Sequence, residues 1–315
     1  MKFNKPKFWD KKYSFFSIIL LPVSLIVLVL ISLKKKFTKS IKFDVPIICF
    51  GNIYIGGTGK TPSAIFLANE LLKLGKNPVI LRKYYESHVD EHNLIKKKFN
   101  NLILDLNRAD GLKKAKIGGF DSVILDDGFQ DYKIKKDLNI VCFNHNQLVG
   151  NGLILPAGPL RESLGSLINA NLVLINGIKD NDFEQKILSI NKNLQIFYSH
   201  YKPTNIDQFI NKKLLAISGI GNPENFFKLA KEHGLRIEKK IIFPDHYEFT
   251  EKEIKKIVKE ARNKNYQIIM TEKDFFKINH FDIDDDEIKY IKLSLVIKER
   301  EKFIEAVTKI YDQKI

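Results

Sequence analysis

A glycine-rich hexapeptide between an apolar run and a helical pattern limits the folds open to this chain more than any other feature. Residues 45–50 (VPIICF) have the length and composition of a buried strand, and residues 56–61 read Gly-Gly-Thr-Gly-Lys-Thr. Residues 63–74 then show helical spacing, with Gly75 at the position of a C-terminal cap. A strand, a glycine-rich loop and a helix in this order place backbone N–H groups around phosphate oxygens. The pattern predicts a nucleotide site in a parallel α/β sheet.

The predicted nucleotide-binding loop has one departure from the common pattern G-x-x-x-x-G-K-[ST], whose first glycine is Tyr54 here. Lys60 is predicted to neutralise the terminal phosphates of ATP and to act in catalysis, and the Thr61 hydroxyl to hold Mg²⁺. A glycine-rich turn without a ligand is the alternative, which the strand–loop–helix context disfavours. The predicted ATP-binding residues are Tyr54, Ile55, Gly56, Gly57, Thr58, Gly59, Lys60 and Thr61.

Apolar runs alternate with helical patterns along the rest of the chain, which is typical of doubly wound parallel sheets. A stretch rich in glycine and proline at 150–166 predicts a domain boundary. We therefore expect a membrane anchor at 1–40, a nucleotide-binding domain of the P-loop, Rossmann-like type at 41–155, and a second α/β domain at 156–315 that completes an interdomain active site. Further strands are predicted at 78–81, 122–125, 139–143, 172–175, 214–218 and 267–270.

The N-terminal apolar run at 15–33 contains no charged residue. Its length suits a helix that crosses a bilayer core of about 30 Å. No small-residue cleavage site follows it, which disfavours a signal peptide, and a buried core helix is the other alternative. Lysines on both flanks leave its orientation open, and Pro22 leaves a re-entrant or interfacial anchor open. The run predicts a membrane anchor helix.

The net charge of +15 comes almost entirely from lysine. Arginine is the residue that reads bases and phosphates with two parallel hydrogen bonds, and its scarcity disfavours a nucleic-acid partner. A solvated lysine-rich surface is the simplest interpretation, and attraction to anionic headgroups of inner-leaflet lipids is the other. Cys49 and Cys142 lie inside apolar runs, which predicts buried thiols. The arginines are Arg82, Arg108, Arg161, Arg236, Arg262 and Arg300.

Two carboxylates, Asp126 and Asp127, follow the apolar run at 122–125. P-loop proteins place the carboxylate that holds Mg²⁺ at the carboxyl end of such a strand. A pair of this kind could equally cap a turn or a helix. The nucleotide-binding loop upstream favours the metal role, and either carboxylate could contact the ion.

Five motifs in fixed order carry a family resemblance over nearly the whole chain. They are GNIYIGGTGKTP, LDDGFQ, NGLILPAGPLRE, FPDHYEFT and TEKDFFKI, and they follow the apolar N-terminal segment. In this order they resemble the tetraacyldisaccharide 4′-kinases. The resemblance implies transfer of a phosphoryl group from ATP to the 4′-hydroxyl of an acylated glucosamine disaccharide 1-phosphate, a step of lipid A biosynthesis. With the apolar N-terminal segment and its flanking lysines, we expect an enzyme held at the inner membrane with its catalytic domains facing the cytoplasm, and no obligate protein partner is evident from the sequence.

The resemblance also implies roles for single residues. Asp90, in SHVDEHNL, would be the general base that accepts the proton of the sugar hydroxyl, and Glu91 would help to hold Mg²⁺. His246, in FPDHYEFT, would pair with Asp90. Without the resemblance, the segment around Asp90 reads as a solvated loop, and His246 as a helix-start residue.

Three arginine and glutamate positions also match the family. Arg108 would contact the transferring phosphate or the substrate, and its alternative is a surface arginine. Arg161 and Glu162 match without an assigned role. The chain departs from the family at 81–85, where Leu-Arg-Lys-Tyr-Tyr stands for a pattern close to S-R-G-Y-G, and at Tyr247, which replaces a second histidine. These departures bear on acceptor contacts more than on ATP chemistry.

Two other function classes fit a membrane-associated P-loop protein. A partitioning or targeting ATPase has no small-molecule acceptor, but its loop normally carries a lysine just before the glycine pair, where this chain has Ile55. A nucleotide-binding scaffold without catalysis would retain its nucleotide without turnover. The ordered motifs favour the kinase.

Overall fold

The structure is a computed structural model that describes residues 5–86, 89–221, 223–244, 247–284 and 286–312, with the backbone alone at Asp90. The chain alternates strands and helices, as the sequence predicts. The strands are β1 Ile47–Gly51, β2 Pro78–Lys83, β3 Leu102–Asp105, β4 Ser122–Asp126, β5 Leu138–Asn144, β6 Leu172–Asn176, β7 Gln195–Pro203, β8 Lys213–Ser218, β9 Arg236–Ile242, β10 Gln267–Thr271, β11 Ile288–Ile291 and β12 Leu293–Ile297.

Helices connect most of these strands. Pro62 lies in the first turn of α2, where a missing N–H costs nothing, and Gly75 follows the helix with φ +73°, as a C-terminal glycine should. The helices are α1 Phe15–Phe37, α2 Lys60–Lys73, α3 Val89–Lys98, α4 Arg108–Ile117, α5 Asn181–Ile190, α6 Pro223–Glu232, α7 Glu251–Asn263, α8 Glu272–Ile278 and α9 Arg300–Asp312, with short 3₁₀ helices at Lys7–Asp10, Leu164–Asn169 and Ile206–Phe209.

The strands form two sheets. The larger has the order β12-β7-β6-β5-β1-β4-β2-β3, and the smaller has the order β11-β10-β8-β9. All pairs from β7 to β3 in the larger sheet, and all pairs in the smaller one, are parallel. The α/β class with parallel sheets behind an apolar N-terminal helix is therefore confirmed.

The chain packs as two compact units. The larger comprises the described parts of 5–87, 95–200 and 295–315, and the smaller those of 88–94 and 201–294. Residues 156–200 and the C-terminal helix α9 thus pack with the nucleotide-binding sheet, whereas the sequence places a boundary near 155. The first half of α3 belongs to the smaller unit. In the larger unit the strands on both sides of β1 are buried along nearly their whole length, as their continuous apolar runs predict.

The two cysteines are free and fully buried, as predicted. Burial raises the pKa of the Cys49 thiol to about 11 and that of Cys142 to about 12. Both thiols are therefore uncharged at neutral pH, and they act as small apolar core residues.

Helix α1 is the only described helix that is long and apolar enough to cross a membrane. Most of its large apolar side chains are exposed, including Phe15, Ile18, Ile26 and Leu30. Apolar surface of this extent, left uncovered on a helix of 23 residues, is typical of contact with lipid or protein.

Gly51, at the end of β1, allows the chain after β4 to approach the nucleotide-binding loop. A Cβ atom at this position would lie 2.2 Å from Cβ of Phe129 and 3.1 Å from its backbone nitrogen. We expect Gly51→Ala to lower the free energy of unfolding by about 3 kcal/mol, because buried backbone must move to accept the methyl group. Chemical denaturation measures the change. Gly165→Ala is the matched control, since its added Cβ would meet only the Ser163 hydroxyl, at 3.5 Å; equal losses in the two variants would contradict the prediction.

Candidate active site

The nucleotide-binding loop joins β1 to α2 at the carboxyl edge of the larger sheet. Gly56, Gly57 and Gly59 have φ angles of +82°, +43° and +89°, which glycine adopts without strain. Helix α2 begins at Lys60, directly after the last of them. The loop therefore ends at a helix N-terminus, where unpaired N–H groups and the helix dipole favour a phosphate.

Neighbouring side chains hold this loop in place. The amide nitrogen of Asn52 donates to the hydroxyl of Thr58 over 3.0 Å, and that of Asn144 donates to the carbonyl of Gly57 over 3.3 Å. The side chain of Gln130 donates to the carbonyl of Asn52 over 2.8 Å. The loop is thus fixed from β5 and from the segment after β4, which lowers the cost of ordering it around a ligand.

Asp126 ends β4 and is fully buried beside the loop. Its Oδ2 accepts a hydrogen bond of 2.9 Å from the hydroxyl of Thr61 and an ion pair from Arg82. Arg82 also donates to the Thr61 hydroxyl over 3.1 Å. The other carboxylate oxygen, Oδ1, is buried without a hydrogen-bond partner among the described residues. Such an atom is costly to bury unless something else binds it.

Asp127 faces two cations. Nη1 of Arg161 lies 3.0 and 3.1 Å from its carboxylate oxygens, and Nζ of Lys60 lies 3.5 Å from Oδ1. Its φ angle of +58° is strained for a residue other than glycine and turns the side chain toward the loop. Burial alone would raise the pKa of this carboxyl, but the charges of Lys60 and Arg161 and the hydrogen bond from Arg161 hold it at about 2. Asp127 is therefore ionised throughout the physiological range.

The segment after β4 is fixed through its carbonyl groups. Nη2 of Arg108 donates to the carbonyls of Asp126 and Asp127 over 3.2 and 2.7 Å. Nζ of Lys136 donates to the carbonyls of Phe129 and Asp131 over 3.2 and 2.5 Å, and burial lowers the pKa of this lysine. Arg108 and Lys136 thus hold in place the backbone of the segment that carries Asp126 and Asp127.

A glycine loop, a helix N-terminus and a buried carboxylate that accepts from a threonine hydroxyl, next to a lysine, together form a site that suits a nucleoside triphosphate. Comparison with known proteins identifies the family of nucleotide-binding proteins to which this site belongs. The family model described as tetraacyldisaccharide-1-P 4′-kinase matches residues 16–312. The chain belongs to the tetraacyldisaccharide 4′-kinase family.

Individual members of this kinase family are similar over most of their length. The tetraacyldisaccharide 4′-kinase of Pelagibacter ubique is 40% identical, with 99% of this chain and 100% of that protein covered. The tetraacyldisaccharide 4′-kinase of Rickettsia akari is 33% identical, with 89% of this chain and 90% of that protein covered.

The fold has a match among solved structures. The crystal structure of LpxK from Aquifex aeolicus in complex with ATP superposes with a TM-score of 0.72, covering 93% of this chain and 99% of that one at 24% identity. This likeness confirms the fold of the kinase family for the present chain.

Some of the residues predicted for the kinase site lie outside the described part of the chain. His246 lies outside the described residues, and so does the side chain of Asp90, whose backbone is in the first turn of α3. Glu91, one residue on, is half-buried in the smaller unit, where Nζ of Lys273 lies 3.7 Å from its Oε1. The roles predicted for these three residues remain predictions.

Arg82, Arg161 and Lys136 contact the site, and sequence reasoning gave none of them a role. Arg161 could have been found, since it stands in a motif that matches the family, whereas Arg82 stands in the segment 81–85, where the chain departs from the family. Nothing in the sequence pointed to Lys136, because it is one of many lysines and stands in none of the motifs. Arg108, predicted to contact phosphate or substrate, has a nearly buried side chain that donates to the carbonyls of the carboxylate segment. It is therefore not a surface arginine.

Proposed function

We propose that this chain transfers the γ-phosphoryl group of ATP to the 4′-hydroxyl of an acylated glucosamine disaccharide 1-phosphate. The observation that carries the proposal is the cluster of Lys60, Asp127 and Arg161 beside the glycine loop, in a member of the tetraacyldisaccharide 4′-kinase family. In the reaction, the acceptor oxygen bonds to the γ-phosphorus and the bond to the β–γ bridging oxygen breaks. ADP leaves, and the hydroxyl proton passes to a base of the protein.

Lys60 and Arg161 supply positive charge where the transferring group gains negative charge. In the structure both cations are neutralised by Asp127, at 3.5 and 3.0 Å. ATP phosphates would take over part of that role, so that the cations need little rearrangement when nucleotide binds. Fixed charges of this kind stabilise the transition state more than mobile ones, because they do not have to reorganise during the reaction.

Thr61 and Asp126 are the residues that would hold Mg²⁺. Mg²⁺ prefers oxygen ligands, and P-loop kinases take one hydroxyl and one carboxylate from the protein. Their oxygens lie 2.9 Å apart here, and Oδ1 of Asp126 has no hydrogen-bond partner in the described part of the chain, so the donor set fits. Held there, Mg²⁺ would supply positive charge to offset the negative charge of the terminal phosphates. Glu91 is proposed as a further ligand on the ground of its place in the family motif alone.

Asp90 would accept the proton of the acceptor hydroxyl, and His246 would orient it. Support for both roles comes from their place in the family motifs. A carboxylate oriented by an imidazole can accept a proton as the acceptor attacks. Arg108 is proposed to act on phosphate mainly by fixing the carboxylate segment, given its bonds to the carbonyls of Asp126 and Asp127.

Helix α1 and the lysines that flank it would hold the enzyme on the inner membrane, with both units in the cytoplasm. The helix exposes apolar side chains over most of its length, and Lys34, Lys35 and Lys36 follow them in its last turn. Lysines at this place are attracted to anionic headgroups. An acylated acceptor lies in the same membrane, so the anchor would concentrate enzyme and acceptor in two dimensions.

Transfer of labelled γ-phosphate to tetraacyldisaccharide 1-phosphate in detergent micelles tests the proposal. We expect a labelled lipid product that depends on ATP and on added Mg²⁺. Hydrolysis of ATP without a lipid product would contradict the kinase and favour a partitioning or targeting ATPase. Stable binding of one ATP without turnover would favour a nucleotide-binding scaffold.

A further inference from the structure

Two buried hydroxyl groups interrupt the apolar surface of α1. Ser17 and Ser24 are only 3% and 5% exposed, while most apolar side chains of the helix are exposed. The two serines are seven residues apart, so they lie on one face of the helix. Buried hydroxyls need hydrogen-bond partners, because an unpaired one costs free energy. A helix that served only as a lipid anchor would not need them.

Their partners lie in residues 151–161, which we call the bridging loop. The Ser24 hydroxyl donates to the carbonyl of Ile154 over 2.9 Å and accepts the N–H of Ala157 over 3.0 Å. The side-chain amide of Asn151 donates to the Ser17 hydroxyl over 3.2 Å. The helix is thus joined to the backbone of the loop by directional bonds, in addition to apolar packing.

Trp9, in the 3₁₀ helix that precedes α1, makes a second attachment to the bridging loop. Its side chain is nearly fully buried, and its indole N–H donates to the carbonyl of Pro156 over 3.0 Å. Its own carbonyl accepts the N–H of Asn151 over 2.9 Å. The 3₁₀ helix and α1 together therefore contact both the start and the middle of the bridging loop.

The other side of the bridging loop is bonded to the nucleotide-binding loop. The N–H of Ile55 donates to the carbonyl of Pro159 over 2.9 Å, and the N–H of Arg161 donates to the carbonyl of Ile53 over 2.7 Å. Between these bonds, Tyr54 and Leu160 form an antiparallel bridge. The last residue of the bridging loop is Arg161, whose guanidinium binds Asp127.

We infer that Trp9 and Ser24 are positioning residues of the ATP site, which act through the bridging loop. The Ser24 bonds fix the backbone at 154–157, and the next four residues pair with the nucleotide-binding loop and supply Arg161. A shift in the first part of the loop would move Arg161 and the backbone N–H of Ile55 together. The anchor is on this account a part of the catalytic scaffold, and the state of α1 affects ATP binding.

The inference rests on the proposed nucleotide site and not on the identity of the acceptor. The experiment therefore measures ATP binding to the full chain in detergent micelles, with methylanthraniloyl-labelled ATP and no acceptor. The variants are Ser24→Ala, which removes both bonds to the loop, and Trp9→Phe, which removes the indole N–H and keeps a buried ring. Ser32→Ala is the matched control, because Ser32 is an exposed serine of the same helix.

We expect the first two variants to bind labelled ATP about fivefold more weakly, because ordering a loosened bridging loop around the nucleotide would cost about as much free energy as one ordinary hydrogen bond provides. Ser32→Ala should bind it as tightly as the wild type. Binding to anionic phospholipid vesicles should be unchanged in all three. Because coupling between sites is reciprocal, ATP should slow hydrogen exchange of the amides of residues 153–155 and 157 in the wild type, and less so in Ser24→Ala.

Unchanged ATP affinity in Ser24→Ala and Trp9→Phe, with or without a lower melting temperature, would overturn the inference and leave the contacts a packing role. If Ser24→Ala does not fold, Trp9→Phe decides by the same criterion. If the two variants lose ATP affinity as expected but the wild type forms no lipid product, the proposed acceptor is wrong and the coupling between α1 and the ATP site still holds. Loss of vesicle binding in parallel with loss of ATP affinity would also count against the inference, since the anchor as a whole would then be damaged.

Discussion

Lys60→Ala should lower kcat/KM for phosphoryl transfer by about 10³-fold, the magnitude typical of losing a fixed charge at the transferring group. Lys60 begins helix α2 at the end of the glycine loop, and its ammonium lies 3.5 Å from Oδ1 of Asp127. The side chain is therefore already aimed at the place where negative charge collects. Weaker ATP binding should account for part of the loss, and slower chemistry for the remainder.

The fold should survive this substitution. Arg161 still neutralises Asp127 at 3.0 Å, so that no buried charge is left unpaired. The measurement is steady-state transfer together with ATP titration. Lys73→Ala is the matched control, since it removes an exposed lysine from the other end of the same helix. A Lys60→Ala enzyme within tenfold of the wild type would contradict the assignment of this loop as the ATP site.

Continuous apolar runs were a good guide to the central strands. The runs at 122–125 and 172–175 correspond to β4 and β6, which extend only one residue further. Edge strands escaped the same reasoning. In β9 the residues alternate between exposed and half-buried, so the strand contains three basic residues and no continuous apolar run. Strand β3, at the edge of the larger sheet, has only four residues, all of them half-buried.

The segment around Asp90 shows where local reasoning fails. Read without the family, it appeared to be a solvated loop, yet it forms helix α3, and His92 is buried on it. Charged residues at most positions hide the helical pattern, and burial of a single histidine comes from tertiary packing that no local spacing reveals.

Prediction of the site was strongest for the loop and weakest for its partners. The glycine loop and the two carboxylates could be recognised because each stands beside a strand whose position is itself predictable. Arg82 reaches Asp126 because β2 and β4 are neighbours in register, with Arg82 opposite Asp126. That pairing depends on strand order, which the sequence pattern does not contain. The same holds for Arg161, which meets Asp127 only because the bridging loop pairs with the chain next to β1.

Asp90→Asn should lower kcat by about 10³-fold, within the range for loss of a general base. ATP affinity should be nearly unchanged, because the loop from Tyr54 to Thr61 and the pair Asp126–Thr61 are held by hydrogen bonds among residues of the larger unit. Asparagine keeps the shape of the side chain and can still accept a hydrogen bond, but it cannot take a proton at neutral pH. The change therefore separates proton transfer from binding.

The pH dependence distinguishes a base from a structural residue. If Asp90 accepts the proton, the wild-type rate should rise with pH until the carboxyl is ionised, and the residual rate of Asp90→Asn should lack that rise. Asp110→Asn is the matched control, since Asp110 is a half-exposed aspartate in the first turn of α4, and the backbone of Asp90 lies in the first turn of α3. If Asp90→Asn keeps both its rate and its acid limb, another group takes the proton. The proposed role of His246, which is to orient Asp90, would then be wrong as well.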